Sequence, residues 1–83
     1  MQVIATIHRN FRDSESMYPK VLLTDITGFD RDHCWVDADM LVSAIPRTNS
    51  TKLRIKFIAT TKTYYSGKQT IATVENLRII GKA

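Results

Sequence analysis

From Lys52 the chain reads Lys-Leu-Arg-Ile-Lys-Phe-Ile-Ala, so that Leu53, Ile55, Phe57 and Ala59 alternate with Lys52, Arg54 and Lys56. An extended strand sends successive side chains to opposite faces, which gives this segment one apolar face and one basic face. Such a strand cannot bury its apolar face alone and has to join a sheet that closes over a core. The alternation predicts a long strand over Lys52 to Tyr65, with Phe57 in the core beside Leu23, Ile55 and Leu77.

The chain has 83 residues, enough for one such core and too few for two, so a single domain over 1–83 is expected. At 43% hydrophobic and 24% charged residues it has the apolar content that disordered chains lack. No apolar run approaches the roughly 18 residues needed to cross a bilayer, and Met1 to Arg9 lacks the pattern of an export signal. The one cysteine, Cys34, cannot form an internal disulfide, which fits a reducing cytoplasm; the sequon Asn49-Ser50-Thr51 is then incidental. A soluble cytoplasmic protein with no membrane partner is the expectation.

Four further elements follow from pattern. Gln2 to His8 is rich in β-branched residues and reads as a strand, and Asn10 to Pro19 as a polar loop or ragged continuation holding Phe11 and Tyr18. Lys20 to Thr27 is a second strand, closed by Gly28, and His33 to Asp37 a third that pairs with it as a hairpin. Asp37 or Asp39 can cap a helix whose Met40, Leu41, Ala44 and Ile45 recur at helical spacing before Pro46 ends it. Ser66-Gly67-Lys68 is a turn, and Ile71 to Ile80 the last strand.

Three strands, a short helix and two strands is the order of a small five-stranded OB-like barrel, with the helix between strands three and four. An SH3-like barrel or a small α+β sheet with one packed helix has the same strand count. Within residues 20–65, Val21-Leu22-Leu23 leading into Asp32-His33-Cys34-Trp35-Val36, and then Ala59-Thr60-Thr61-Lys62-Thr63-Tyr64, resemble small phage-encoded OB-like proteins. The resemblance implies the barrel and a viral setting, hence the host cytoplasm, and brings no activity to individual residues. The helix and Cys34 depart from it.

Catalytic chemistry finds little purchase. A cysteine nucleophile needs a histidine within reach, but His33 and Cys34 are neighbours on a strand and point to opposite faces, which makes Cys34 a small core residue and His33 a surface one. Asp32, His33 and Cys34 lack the second spaced pair of a metal site, and His8 is the only other histidine. Asp30, Asp32, Asp37 and Asp39 sit around turns or a helix start, where capping accounts for them. With three glycines in all there is no phosphate loop and no nucleophile elbow. The chain points to a binding protein with no cofactor and no enzymatic role.

What it binds is suggested by charge. Residues 1–46 hold four basic and seven acidic residues, a balance of −3; residues 47–83 hold eight basic and one acidic, Glu75, a balance of +7. Lys52, Arg54 and Lys56, two residues apart on a strand, form a row spaced by roughly 6.6 Å, which suits a phosphate backbone. Arg47, Lys62 and Lys68 extend it. Aromatic platforms would add base stacking for single strands: Trp35, Tyr64, Tyr65, Phe11 and Tyr18 are the candidates. Tyr64 and Tyr65, adjacent in a strand, should face opposite ways, one outward and one into the core, and Trp35 is either core or platform. The expected partner is single-stranded DNA or RNA; the alternative is an acidic protein surface that the same basic barrel face binds or inhibits. A third reading is a subunit of a larger assembly joined through a strand edge.

Overall fold

A computed structural model describes all 83 residues. The element order is β1 (Gln2–Arg12), β2 (Lys20–Thr27), β3 (His33–Asp37), a 3-10 helix η1 (Ala38–Ala44), β4 (Lys52–Thr63) and β5 (Gln69–Lys82). All pairings are antiparallel, and the strands form one sheet in the order β3-β2-β1-β4-β5. The sheet curls into a half-barrel, with β1 at its centre and β3 and β5 at its two ends. The helix joins β3 to β4. This is the small OB-like barrel architecture.

The core lies on the concave side. Val3, Ala5 and Ile7 of β1, Val21, Leu23 and Ile26 of β2, Cys34 and Val36 of β3, Ile55, Phe57 and Ala59 of β4 and Ile71 of β5 are all buried there. Leu23, Ile55 and Phe57 are therefore where the alternation puts them. Leu77 is only partly buried against the same cluster.

β-Bulges explain where alternation fails. In β2 a strict period would turn Asp25 inward after Val21 and Leu23. Asp25 instead takes a left-handed conformation, φ 49°, at a register shift against β1, and Ile26 becomes the next inward residue. Aspartate is among the few side chains that tolerate this conformation. β5 has three shifts against β4, one beside the left-handed Asn76, so its inward residues Ile71, Val74 and Leu77 come three apart. Each bulge increases the local twist, which lets a 14-residue strand bend around the core.

β1 runs on from His8 to Arg12 through a register shift against β2, the ragged continuation that is one of the two readings of this segment, while other expectations are corrected. The segment after β3 is a 3-10 helix, and its buried residues Ala38, Leu41 and Ala44 lie three apart, the period of that helix. Asp37 does not cap it: its carboxylate is 2.9 Å from Lys20 Nζ, while the Ala38 N–H donates to the Pro19 carbonyl at 2.8 Å. Pro46, which follows the C-cap residue Ile45, is buried. β4 stops at Thr63, so Tyr64 and Tyr65 belong to the hairpin and not to the strand. Both are exposed, and neither is a core residue. The hairpin is closed by the Gly67 N–H donating to Tyr64 O and the Tyr64 N–H to Lys68 O, with Gly67 at φ 80°. That is the type I turn with a glycine bulge usual for three-residue loops.

Candidate nucleic-acid interface

The residues expected to bind divide into two groups. Lys52, Arg54 and Lys56 do share the outer face of β4, opposite His8, Thr6 and Ile4 of β1. Their environments differ. Arg54 donates from Nη1 to Thr6 Oγ1 and to the Asp25 carbonyl, both at 2.9 Å, and so bridges β4, β1 and the β2 bulge. It is a structural clamp over the buried Thr6, and its replacement would not be a clean electrostatic probe. Lys52 is exposed, Lys56 half-buried. Arg47 is exposed on the connection that follows η1.

The second group lies where the half-barrel stays open. Trp35 points away from the core, since its neighbours Cys34 and Val36 point in, and it is half-buried on the outer side of β3 opposite Leu22. Across the gap between β3 and the β4–β5 hairpin, a cleft of about 300 Å³ brings Trp35, Lys20, Asp37 and Met40 together with Lys62 and Tyr64. The floor includes Val36 and Ile71. Lys62 Nζ stands 5.9 Å from the Tyr64 ring centroid, and the Arg12 guanidinium 5.8 Å from that of Trp35. Each aromatic thus has a cation beside it. Lys20 is paired with Asp37, so the cation contributed by the cleft wall without an acidic partner is Lys62. Tyr65 and Lys68 stand at the exposed tip of the same hairpin; Phe11 and Tyr18 are exposed around the β1–β2 loop.

Sequence reasoning missed Arg12, Lys20 and Met40. Arg12 reaches Trp35 only because β1 extends past a register shift that no residue pattern announces. Lys20 gave a weak signal: it opens β2 opposite Asp37 at the end of β3, and such a cross-strand pair is a common charge match. Met40 enters the cleft from the 3-10 helix.

Two titratable groups are shifted. His8, with Nε2 2.6 Å from Thr24 Oγ1, has its pKa lowered by burial and then by the neighbouring charge of Lys52, with Asp25 acting the other way. Asp32 is lowered by its hydrogen bond and charge interaction with His33 on the exposed β2–β3 loop. Neither lines the cleft. Cys34 is buried with Sγ 3.5 Å from the Trp35 carbonyl, while His33 is exposed on the other face. No three His, Cys, Asp or Glu side chains gather as metal ligands would, and no helix is long and apolar enough to cross a membrane. No known family, curated protein or solved structure matches the chain.

Proposed function

We propose that the protein binds single-stranded nucleic acid across the cleft between β3 and the β4–β5 hairpin, as a binding module and not an enzyme. The observation that supports this most is the meeting of Trp35, Tyr64 and Lys62 in one cleft of about 300 Å³, with the Arg12 guanidinium 5.8 Å from the centre of the tryptophan ring. A base stacked on an aromatic contributes roughly 1–3 kcal/mol with little sequence preference, and a cation beside each ring meets the phosphate that accompanies the base. Duplex DNA offers no free base faces, so the cleft favours single strands. Lys68 and Tyr65 at the hairpin tip extend the path on one side. Lys56, six residues before Lys62 on the same strand and roughly 20 Å away, lies beyond the reach of a single nucleotide in the cleft.

The test is fluorescence anisotropy with labelled single-stranded DNA, single-stranded RNA and duplex of equal length over a salt series. Single strands should bind more tightly than duplex, and Lys62→Gln should flatten the log–log salt slope by about 0.7, the contribution of one phosphate contact on a single strand. Lys52→Gln, on the outer face opposite His8, should leave the slope nearly unchanged. Duplex binding equal to single-strand binding, with the same slope change from both variants, would replace the cleft by the β4 basic row as the site. Salt-independent binding, or none, would leave the acidic protein surface as the partner.

A further inference from the structure

A second cleft, of about 330 Å³, opens between β1, β4 and β5, where Gln2, Lys56, Asn76 and Arg78 stand around the apolar Met1, Phe57 and Ile58. Lys56 and Arg78 are directly opposite each other in the antiparallel β4–β5 ladder. Two like charges in that position repel and destabilise the pairing. Neither takes part in an ion pair, although the molecule forms such pairs elsewhere, at Lys20–Asp37 and Arg12–Asp13. Glu75, the only acidic residue of β5, stands opposite Ile58 and pairs with neither. The register shift between Lys56 and Ile58, with Asn76 at φ 54°, places a carboxamide in the same cleft, and Gln2 adds a second from β1. Lys56 and Arg78, neither with an acidic partner, and two carboxamides stand around one opening with no carboxylate in its wall, so the positive charge there has no anion; the Met1 ammonium, also in the wall, donates to the Ala59 carbonyl.

We infer that this cleft binds a phosphoryl oxyanion between Lys56 and Arg78, with Asn76 and Gln2 as neutral donors. Arg78 offers the paired N–H groups that match two phosphate oxygens, and Lys56 a point charge to a third. The anion would convert the repulsive cross-strand pair into a bridged one. The inference does not depend on the single-strand reading, because Trp35, Tyr64 and Lys62 line the other cleft.

The experiment is an NMR titration of the isotope-labelled protein with inorganic phosphate, ionic strength held constant with chloride. Saturable shifts of the Arg78 Nε–Hε, Asn76 and Gln2 side-chain signals are expected, unchanged in Trp35→Ala and lost in Arg78→Gln. Thermal melts supply a second reading. Phosphate stabilises proteins generally by exclusion from their surfaces, so the quantity that counts is the gain of wild type over Lys56→Gln. In chloride, Lys56→Gln should melt at or above the wild-type temperature, because the repulsion is gone; in phosphate, the wild type should gain several degrees more than the variant. Dimethyl phosphate, a diester, separates the sources: a response to both probes assigns a nucleic-acid backbone, and a response to inorganic phosphate alone assigns a free or terminal phosphate. Equal gains in wild type and variant, or no saturable shift with either probe, would overturn the site.

Discussion

Gly28 and Gly67 both have positive φ, yet they differ in what a side chain would meet. A Cβ at Gly28 would run into the backbone carbonyl of Gln2, whereas nothing lies within 4 Å of one at Gly67. Gly67→Ala should therefore cost only the left-handed conformation, about 1–2 kcal/mol, and Gly28→Ala clearly more, because β1 has to move. Urea melts of the two variants check this; equal losses would contradict the close approach of the β2–β3 loop to the start of β1. His8 makes stability depend on pH. Its folded pKa lies below the unfolded value, so the unfolded chain binds more protons as pH falls. The resulting stability is complete above the unfolded pKa of about 6.5 and is lost as pH drops through that value towards the folded one. Asp32 also loses stability in acid, but only at carboxylate pH, below this window. Wild type should thus destabilise relative to His8→Gln as pH falls from above about 6.5; parallel curves would remove His8 as the cause. Single residues were unevenly legible. Phe57, Leu23 and Ile55 were fixed by alternation, and the opposite facing of His33 and Cys34 by the strand period. The joint role of Arg54 was not, because its partners are Thr6 and a carbonyl that the Asp25 bulge turns towards it.

At the scale of elements, β2 and β3 begin and end where pattern puts them, since Pro19, Gly28 and the Asp37–Ala38 junction punctuate them. The elements that differ do so through local geometry that spacing does not reveal. Tyr64 and Tyr65 look like strand residues by composition, but the glycine-bulge turn needs Tyr64 as its first residue, so β4 ends before it. Between β3 and Pro46 the apolar residues suit two helical periods: Met40, Leu41, Ala44 and Ile45 an α-helical one, Ala38, Leu41 and Ala44 a period of three. The seven-residue connection takes the tighter form, and Met40 is left at the edge of the cleft. Leu41 is then fully buried in the core cluster and Val42 faces outward, 71% exposed. Leu41→Ala should destabilise by about 2–5 kcal/mol and Val42→Ala by no more than about 0.5 kcal/mol. Chemical denaturation of the pair measures the difference. An α-helical register, with Ile45 in place of Ala38 as the buried neighbour, would make Ile45→Ala the costlier change and Ala38→Ser a mild one.

For the whole molecule, the uneven charge of the two chain halves becomes a three-dimensional arrangement only through the strand order. Because β1 sits between β2 and β4, the basic row at the start of β4 lies on the middle of the sheet, and the end of β4 runs past the start of β1, so that Lys62 and the following Tyr64 stand across the opening from Trp35. Lys62 thereby lines one cleft together with Trp35 and Tyr64, and Lys56 lines another, while Lys52 and Arg54 line neither. Composition shows the charge and alternation shows the face, but the division depends on how far β4 outruns β1, a consequence of pairing register. The cleft that holds Trp35 and Tyr64 carries its own probe, because Trp35 is the only tryptophan. Its intrinsic fluorescence, followed during titration with an unlabelled single-stranded oligonucleotide at low salt and again as salt is raised, tests stacking and electrostatics together. Saturable quenching at micromolar protein is predicted, its affinity weakening by about 0.7 log units per phosphate contact for each tenfold rise in salt and reduced roughly 5- to 150-fold by Tyr64→Ala. Fluorescence that stays unchanged while the same oligonucleotide binds, or no binding at low salt, would contradict the account.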